Sequence, residues 1–228
     1  MGTNKTKIKP PVIFESIFDV GYLLFALISG IIFLTKASGN TLFILYGILT
    51  LTLCFGDSFH LVPRVVRGFK GTSEKVTWFL NFGLQMSSIT MTSFYIIYIY
   101  IWKATFPSLT APLFVVLLIW ISAVFRILVC LLPQNNWYNG KGNVKLSLLR
   151  NCVFLLTGLG VIILYAISGN TDGLRMYRMI IAIIISFACY MPVVILAKKK
   201  PMIGMLMIPK TCAYIWMIAM GLELLTRK

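Results

Sequence analysis

Long apolar runs separated by short polar or basic connections organise the whole chain. Each run is about 20 residues long, the length that an α-helix needs to cross the hydrocarbon core of a bilayer. The pattern predicts spans at residues 17–35, 41–62, 77–102, 111–132, 144–168, 176–197 and 202–225. Because the connections are short, we expect residues 1–228 to form one all-α domain, a bundle of seven helices in an integral, multi-pass membrane protein.

Composition supports a protein that is surrounded by membrane lipids. Hydrophobic residues make up 59% of the chain and charged residues only 12%, whereas soluble domains carry about 25% charged residues. The net charge of +15 is explained by lysines and arginines that flank spans and face anionic headgroups. Nucleic acid is not an expected partner, because no basic patch interleaved with aromatic residues occurs in a polar segment.

The basic residues are divided unevenly between the two ends of the predicted spans. One end collects Lys5, Lys7, Lys9, Arg64, Arg67, Lys70, Lys75, Lys141, Lys145, Arg150, Lys198, Lys199 and Lys200. The other end has Lys36, Lys103, Arg175, Arg178, Arg227 and Lys228. Lysine and arginine are concentrated on the cytoplasmic side of membrane proteins. The bias predicts an N-terminus inside and a C-terminus outside, and we expect the plasma membrane as the location.

The second span ends in a polar cluster with the only histidine of the chain. Residues three, four and seven apart share a helix face, so Asp57, His60 and Arg64 should form one stripe with Ser58 turned away. Such a stripe is too polar for lipid and should face a protein interior or a wet cavity. Pro63 should kink or end this helix, because proline lacks the backbone donor.

Two basic residues lie well away from the ends of predicted spans, Arg126 in the fourth and Lys210 in the seventh. A charge at bilayer depth is costly, so each should be paired, should serve a ligand, or should snorkel to the interface. Asp57 is the natural counter-ion for either cation, and Asp19 is a second candidate.

The predicted orientation brings most of the intramembrane polar side chains to one leaflet. This convergence predicts a polar cavity in the cytoplasmic half, with candidate ligand-binding residues Asp19, Arg64, Asn81, Gln85, Arg126, Arg150 and Lys210. Asn81 and Gln85, one turn apart, could bind a ligand or could equally hold helices together. The far end of the third span is aromatic, with Phe94, Tyr95, Tyr98, Tyr100 and Trp102, which is typical of a membrane-interface belt.

Metal and cofactor chemistry is not indicated. The five cysteines lie in or beside apolar runs without a CxxC pair, as expected of buried thiols. One histidine with distant carboxylates makes a poor zinc site. We therefore predict no cofactor and no metal.

Two short segments resemble a known family of membrane enzymes. Cys54-Phe55-Gly56-Asp57 followed by Asn81-Phe82-Gly83-Leu84 is similar to the early helices of the YhhN-like lysoplasmalogenase family, small multi-span lipid hydrolases. The likeness covers the second and third spans and implies that Asp57 is a catalytic acid. The chain differs in having seven predicted spans rather than eight, and in lacking a second intramembrane aspartate in its later half.

These features lead to three functional hypotheses. The first is a lipid-active hydrolase or binding protein for an anionic, lipid-derived ligand, with Asp57 and His60 as catalytic candidates for acid–base chemistry. Arg126, Lys210 and Arg150 would hold the negative group of that ligand. The second is a transporter or receptor-like binding subunit for a small anionic solute, and the third is a purely structural membrane protein.

Overall fold

The protein is described here by a computed structural model that covers residues 10–138, 142–168, 175–197 and 199–227. Six of the basic residues that predicted the orientation lie outside these ranges: Lys5, Lys7, Lys9, Lys141, Lys198 and Lys228.

Seven helices in the described ranges are long and apolar enough to cross a membrane. They are α1 (Pro10–Lys36), α2 (Thr41–Lys70), α3 (Glu74–Thr105), α4 (Leu113–Leu131), α5 (Val144–Ser168), α6 (Arg178–Leu196) and α7 (Met207–Thr226). Short 3-10 helices, Pro133–Asn135 and Pro201–Leu206, follow α4 and precede α7. Large apolar side chains point outward, with Leu113 at 72% exposure and Ile17 at 68%. The predicted all-α, multi-pass fold is confirmed.

The first three helices are longer than the apolar runs that predicted them. Polar flanking residues cap the starts of α2 and α3: the Asn40 side chain accepts a hydrogen bond from the backbone N–H of Leu42 at 2.9 Å. The Ser73 hydroxyl accepts one from the N–H of Val76 at 3.3 Å. Such caps satisfy backbone donors at a helix start. The Ser73 cap allows α3 to begin at Glu74, in the polar segment before its apolar run.

Pro63 does not end α2, because the helix runs on to Lys70, so of the two predicted effects of this proline the helix end was wrong. Proline removes the bond to the carbonyl four residues earlier, which here belongs to Phe59. Gly83 of α3 lies against this carbonyl and against the backbone of His60. The close approach is possible because glycine has no Cβ, and α2 and α3 pack tightly at this point.

The aromatic end of α3 is not a membrane-interface belt, so that prediction was wrong. Phe94, Tyr95, Tyr98 and Trp102 are fully buried, and only Tyr100 is exposed, at 47%. The reason is position in the bundle, because α3 contacts α2, α4 and α5 and therefore turns most of its faces inward. Edge-to-face pairs such as Phe94–Tyr98, with ring centroids 5.0 Å apart, fill this half of the interior.

The opposite half of the bundle is the polar end. The start of α1, the end of α2 and the starts of α3, α5 and α7 supply its ionisable or amide side chains, among them Glu15, Arg64, Asn81, Arg150 and Lys210. Consecutive antiparallel helices place these segments together, so residues far apart in sequence meet around shared cavities.

Candidate functional site

Two polar stripes meet where α1 packs against α2. On α1, Glu15, Asp19 and Tyr22 are four and three residues apart and share a face. The Tyr22 hydroxyl donates to Asp57 Oδ2 at 2.8 Å. Arg64 forms an ion pair with Glu15, and its Nη1 lies 4.0 Å from Asp19 Oδ2. The structure thus places one polar face of α2 against a polar face of α1.

Ser58 lies outside the contact between the polar faces of α1 and α2. Its hydroxyl donates to the backbone carbonyl of Phe55 on the same helix at 2.7 Å, as the predicted face assignment required. Ser58 therefore offers a matched control position one residue away from Asp57.

The second oxygen of Asp57 is bound by α3. The Ser87 hydroxyl donates to Asp57 Oδ1 at 3.0 Å, so two neutral hydroxyl groups hold this carboxylate. Among the ion pairs of the described residues, none joins Asp57 to Arg126 or Lys210. The predicted pairing is therefore replaced by hydroxyl donors that approach Asp57 from α1 and α3.

Arg126 is fully buried and does not snorkel, with 1% of its surface exposed. Its Nη1 donates to the Thr92 hydroxyl at 2.7 Å, and its guanidinium carbon lies 3.5 Å from the Phe154 ring centroid. A cation over an aromatic face is stabilised by the ring quadrupole. Arg126 is absent from the linings of both polar cavities described below, because α4 packs against α3 and α5.

Lys210 is also buried, at 7% exposure, which removes the snorkelling alternative for this residue. Its Nζ lies 4.8 Å from the ring centroid of Tyr214 and 5.2 Å from that of Tyr190. The ammonium group is thus held between two aromatic faces, beside a cavity that it shares with Asp57.

The larger cavity of the polar end has a volume of about 620 Å³ and opens between α2, α3, α5, α6 and α7. Three arginines line it, Arg64, Arg67 and Arg150, together with His60 and Asn81. Its lining contains no aspartate or glutamate. Part of the wall is apolar, with Leu80, Leu84, Val193, Val194 and Met207.

Arg150 is fixed in this cavity by neighbours on three sides. Its Nη1 donates to Asn135 Oδ1 at 2.8 Å and its Nη2 donates to the Ser147 hydroxyl at 3.2 Å. The guanidinium carbon lies 4.1 Å from the Trp137 ring centroid. None of these neighbours is acidic, so the guanidinium is oriented but its positive charge is not compensated by them.

The smaller cavity has a volume of about 40 Å³ and lies between α1, α2, α3 and α7. Its lining includes Glu15, Asp19, Asp57, His60, Arg64, Ser87 and Lys210. His60, Arg64 and Met207 line both cavities and form the wall between them. His60 Nδ1 and Asp19 Oδ2 are buried without a hydrogen-bond partner among the described residues.

The two predicted amides have different surroundings. Asn81 lines the larger cavity, where it can meet a ligand. Gln85 instead joins α3 to the end of α4 and to the segment that follows. Its Nε2 donates to the Cys130 carbonyl at 3.4 Å, and its Oε1 accepts from the Tyr138 hydroxyl at 3.1 Å. Gln85 thus matches the alternative in which an amide holds helices together.

Several residues of the site were not predicted from the sequence, among them Glu15, Tyr22, Arg67, Ser87 and Tyr190. Tyr22 could have been predicted from the sequence, because it follows Asp19 by three residues and lies on the same face of α1. Tyr190 donates to Asn151 Oδ1 at 2.7 Å, a contact between helices that sequence spacing does not reveal.

Comparisons with protein-family models, curated proteins and solved structures found no match to this chain. In the described ranges, no group of three or more His, Cys, Asp or Glu side chains is placed to hold a metal ion. The two cavities and the side chains that line them are therefore the features that bear on function.

Proposed function

We propose that this multi-pass membrane protein binds an anionic, lipid-derived ligand in the larger cavity. The observation that carries the proposal is the charge of the lining, which has three arginines and no carboxylate. Arg64 is compensated from outside the lining by Glu15. Arg67 and Arg150 have no acidic partner among the ion pairs of the described residues, so both guanidinium groups are available to an anion.

The form of the cavity favours an amphiphilic ligand. Arginine presents planar donors that match a phosphate or carboxylate group, and Arg150 is already oriented by Asn135 and Ser147. A preorganised donor binds with a smaller loss of side-chain entropy. The apolar wall of Leu80, Leu84 and the α6 valines suits the first methylenes of a lipid chain.

The location of the site is part of the proposal. We place the polar end on the cytoplasmic side of the plasma membrane, with the N-terminus inside, because that end has the larger share of lysine and arginine. Anionic lipid is abundant in the cytoplasmic leaflet, so a ligand of this class would be available there.

Binding to protein in nanodiscs tests the proposal. Oleoyl lysophosphatidic acid should bind, monooleoylglycerol with the same chain should bind far more weakly, and glycerol 3-phosphate should show whether the headgroup suffices. The variant Arg150→Gln should lose about tenfold or more in affinity, because a hydrogen bond to a charged group is worth about 1.5–3 kcal/mol.

Lys36→Gln provides the matched control, because Lys36 is an exposed cation at the end of α1 opposite the cavity. Its affinity should equal that of the parent protein. Equal binding of the neutral and anionic lipids, or unchanged binding by Arg150→Gln, would contradict the proposal.

A lipid hydrolase is the second candidate, favoured by the position of Asp57 and His60 beside the anion cavity. Asp57 and His60 line the smaller cavity, and His60 faces both. An acid and an imidazole so placed could exchange protons with a bound ester or vinyl ether. The resemblance of this segment to YhhN-like lysoplasmalogenases, with Asp57 as catalytic acid, is consistent with the same chemistry.

Turnover of lysophospholipids and lysoplasmalogens by the purified protein separates the candidates. Asp57→Asn and His60→Ala should each lower turnover about 100-fold or more, whereas Ser58→Ala on the other side of α2 should keep it. Binding without turnover over the whole panel favours a transporter or receptor-like subunit. A protein that neither binds nor turns over these lipids favours the purely structural role.

A further inference from the structure

The smaller cavity has an unbalanced set of charges. Three carboxylates line it, those of Glu15, Asp19 and Asp57, against two fixed cations, Arg64 and Lys210. A buried charge without compensation is costly. Uptake of one proton would bring the lining to neutrality. His60 is the basic side chain in the lining that can take it up, and Asp19, whose Oδ2 is buried without a hydrogen-bond partner among the described residues, is the competing acceptor.

The side chain of His60 lines both cavities, so its charge affects the electrostatics of each. It lies in the wall that they share, and its Nδ1 is buried without a partner among the described residues. Imidazole is the side chain that ordinarily changes charge near neutral pH. A cavity of about 40 Å³ is also large enough for a water molecule that could carry the proton.

We propose that His60 takes up a proton when the larger cavity binds its anion. This inference rests on the function proposed above and names a second ligand, the proton, for the same site. The anion would offset the positive charge of Arg67 and Arg150, and the excess carboxylate of the smaller cavity would then stabilise the imidazolium.

The groups that decide this equilibrium come from every element around His60. From α1, α2, α5, α6 and α7 they are Glu15, Asp19, Tyr22, Asp57, Arg64, Arg67, Arg150, Tyr190 and Lys210. The α3 residues that line the cavities near His60 are uncharged, including Asn81 and Ser87.

The coupling has a defined sign and an upper limit. Binding free energies are reciprocal, so a proton that strengthens anion binding is itself bound more tightly when the anion is present. For one coupled proton, anion affinity falls by up to about tenfold for each unit of rising pH while His60 titrates, and becomes constant at pH values where His60 stays protonated.

Nuclear magnetic resonance can observe this residue alone, because His60 is the only histidine in the chain. Protein labelled with 15N-histidine and carrying a histidine-free tag would be titrated in nanodiscs with and without oleoyl lysophosphatidic acid. The imidazole titration midpoint should move to higher pH when the lipid is bound. A midpoint that does not move although the lipid binds overturns the coupling alone.

Calorimetry in buffers of different ionisation enthalpy gives the second readout. The parent protein and Ser58→Ala should each take up close to one proton more per bound lipid near the His60 midpoint than His60→Gln does. Any change in ionisation of the lipid phosphate, which also titrates near neutral pH, is common to all three proteins. Equal uptake by His60→Gln would overturn the assignment to His60. If lysophosphatidic acid does not bind at all, the anion site and the coupling are refuted together.

Discussion

The glycine at the contact of α2 and α3 allows a sharp test of the packing that positions His60. A Cβ at residue 83 would clash with the Phe59 carbonyl, and it would lie 2.7 Å from the Cα of His60. These are backbone atoms, so no side-chain rotation can relieve the contact. We therefore expect Gly83→Ala to force α2 and α3 apart.

The size of the effect follows from the distances. Ordinary contacts of a Cβ begin at about 3.4 Å, so the His60 contact alone requires a separation of about 0.7 Å. Overpacking of this kind costs about 1–3 kcal/mol. For a chain of this size, that loss lowers the thermal midpoint by roughly 2–4 °C for each kcal/mol.

Gly21→Ala supplies the control, because a Cβ at residue 21 meets no atom of a neighbouring helix within 4 Å. Alanine is the better helix former by about 1 kcal/mol, so this variant should be at least as stable as the parent. Differential scanning fluorimetry of both variants in one detergent makes the comparison. A Gly83→Ala protein as stable as Gly21→Ala would refute the close approach of the two helices.

Two further substitutions test the hydrogen bonds and the buried cation. Tyr22→Phe removes a donor to the Asp57 carboxylate and should lower the free energy of unfolding by about 1.5–3 kcal/mol. Tyr100→Phe, at an exposed ring, should leave the thermal midpoint unchanged. Equal midpoints for the two variants would contradict the hydrogen bond from Tyr22 to Asp57. Arg126→Met replaces a buried charge that has no carboxylate partner, so stability should be kept or raised, by up to about 4 kcal/mol. Anion affinity should also be unchanged by Arg126→Met, and a clear loss of affinity would place Arg126 in the binding site.

The sequence predicted the helices well because membrane spans carry a strong local signal. An apolar run of about 20 residues identifies a span by itself, and the prediction for α5 agrees with the structure over residues 144–168. The polar face of α2 was also predictable, because helical spacing alone places Asp57, His60 and Arg64 together.

Contacts between helices were harder to predict than the helices themselves. Spacing within one helix does not show which neighbour receives each face, so Asp57 was expected to meet a cation and is bound by two hydroxyl groups instead. For the same reason, Tyr95 and Trp102 were wrongly predicted to lie in a membrane-interface belt. Aromatic residues near a span end are common both in interfaces and in cores, and only the central position of α3 distinguishes the two.

The buried rings of α3 also bear on how the proposed ligand would be exchanged. Phe94, Tyr98 and Trp102 fill the half of the bundle beyond the polar end. A solute that crossed this half would have to separate ring pairs that are each worth about 0.5–1.5 kcal/mol beyond their burial. The arrangement favours entry and departure through the polar end alone, so occupancy of the cavity would follow the ligand concentration of a single compartment or leaflet.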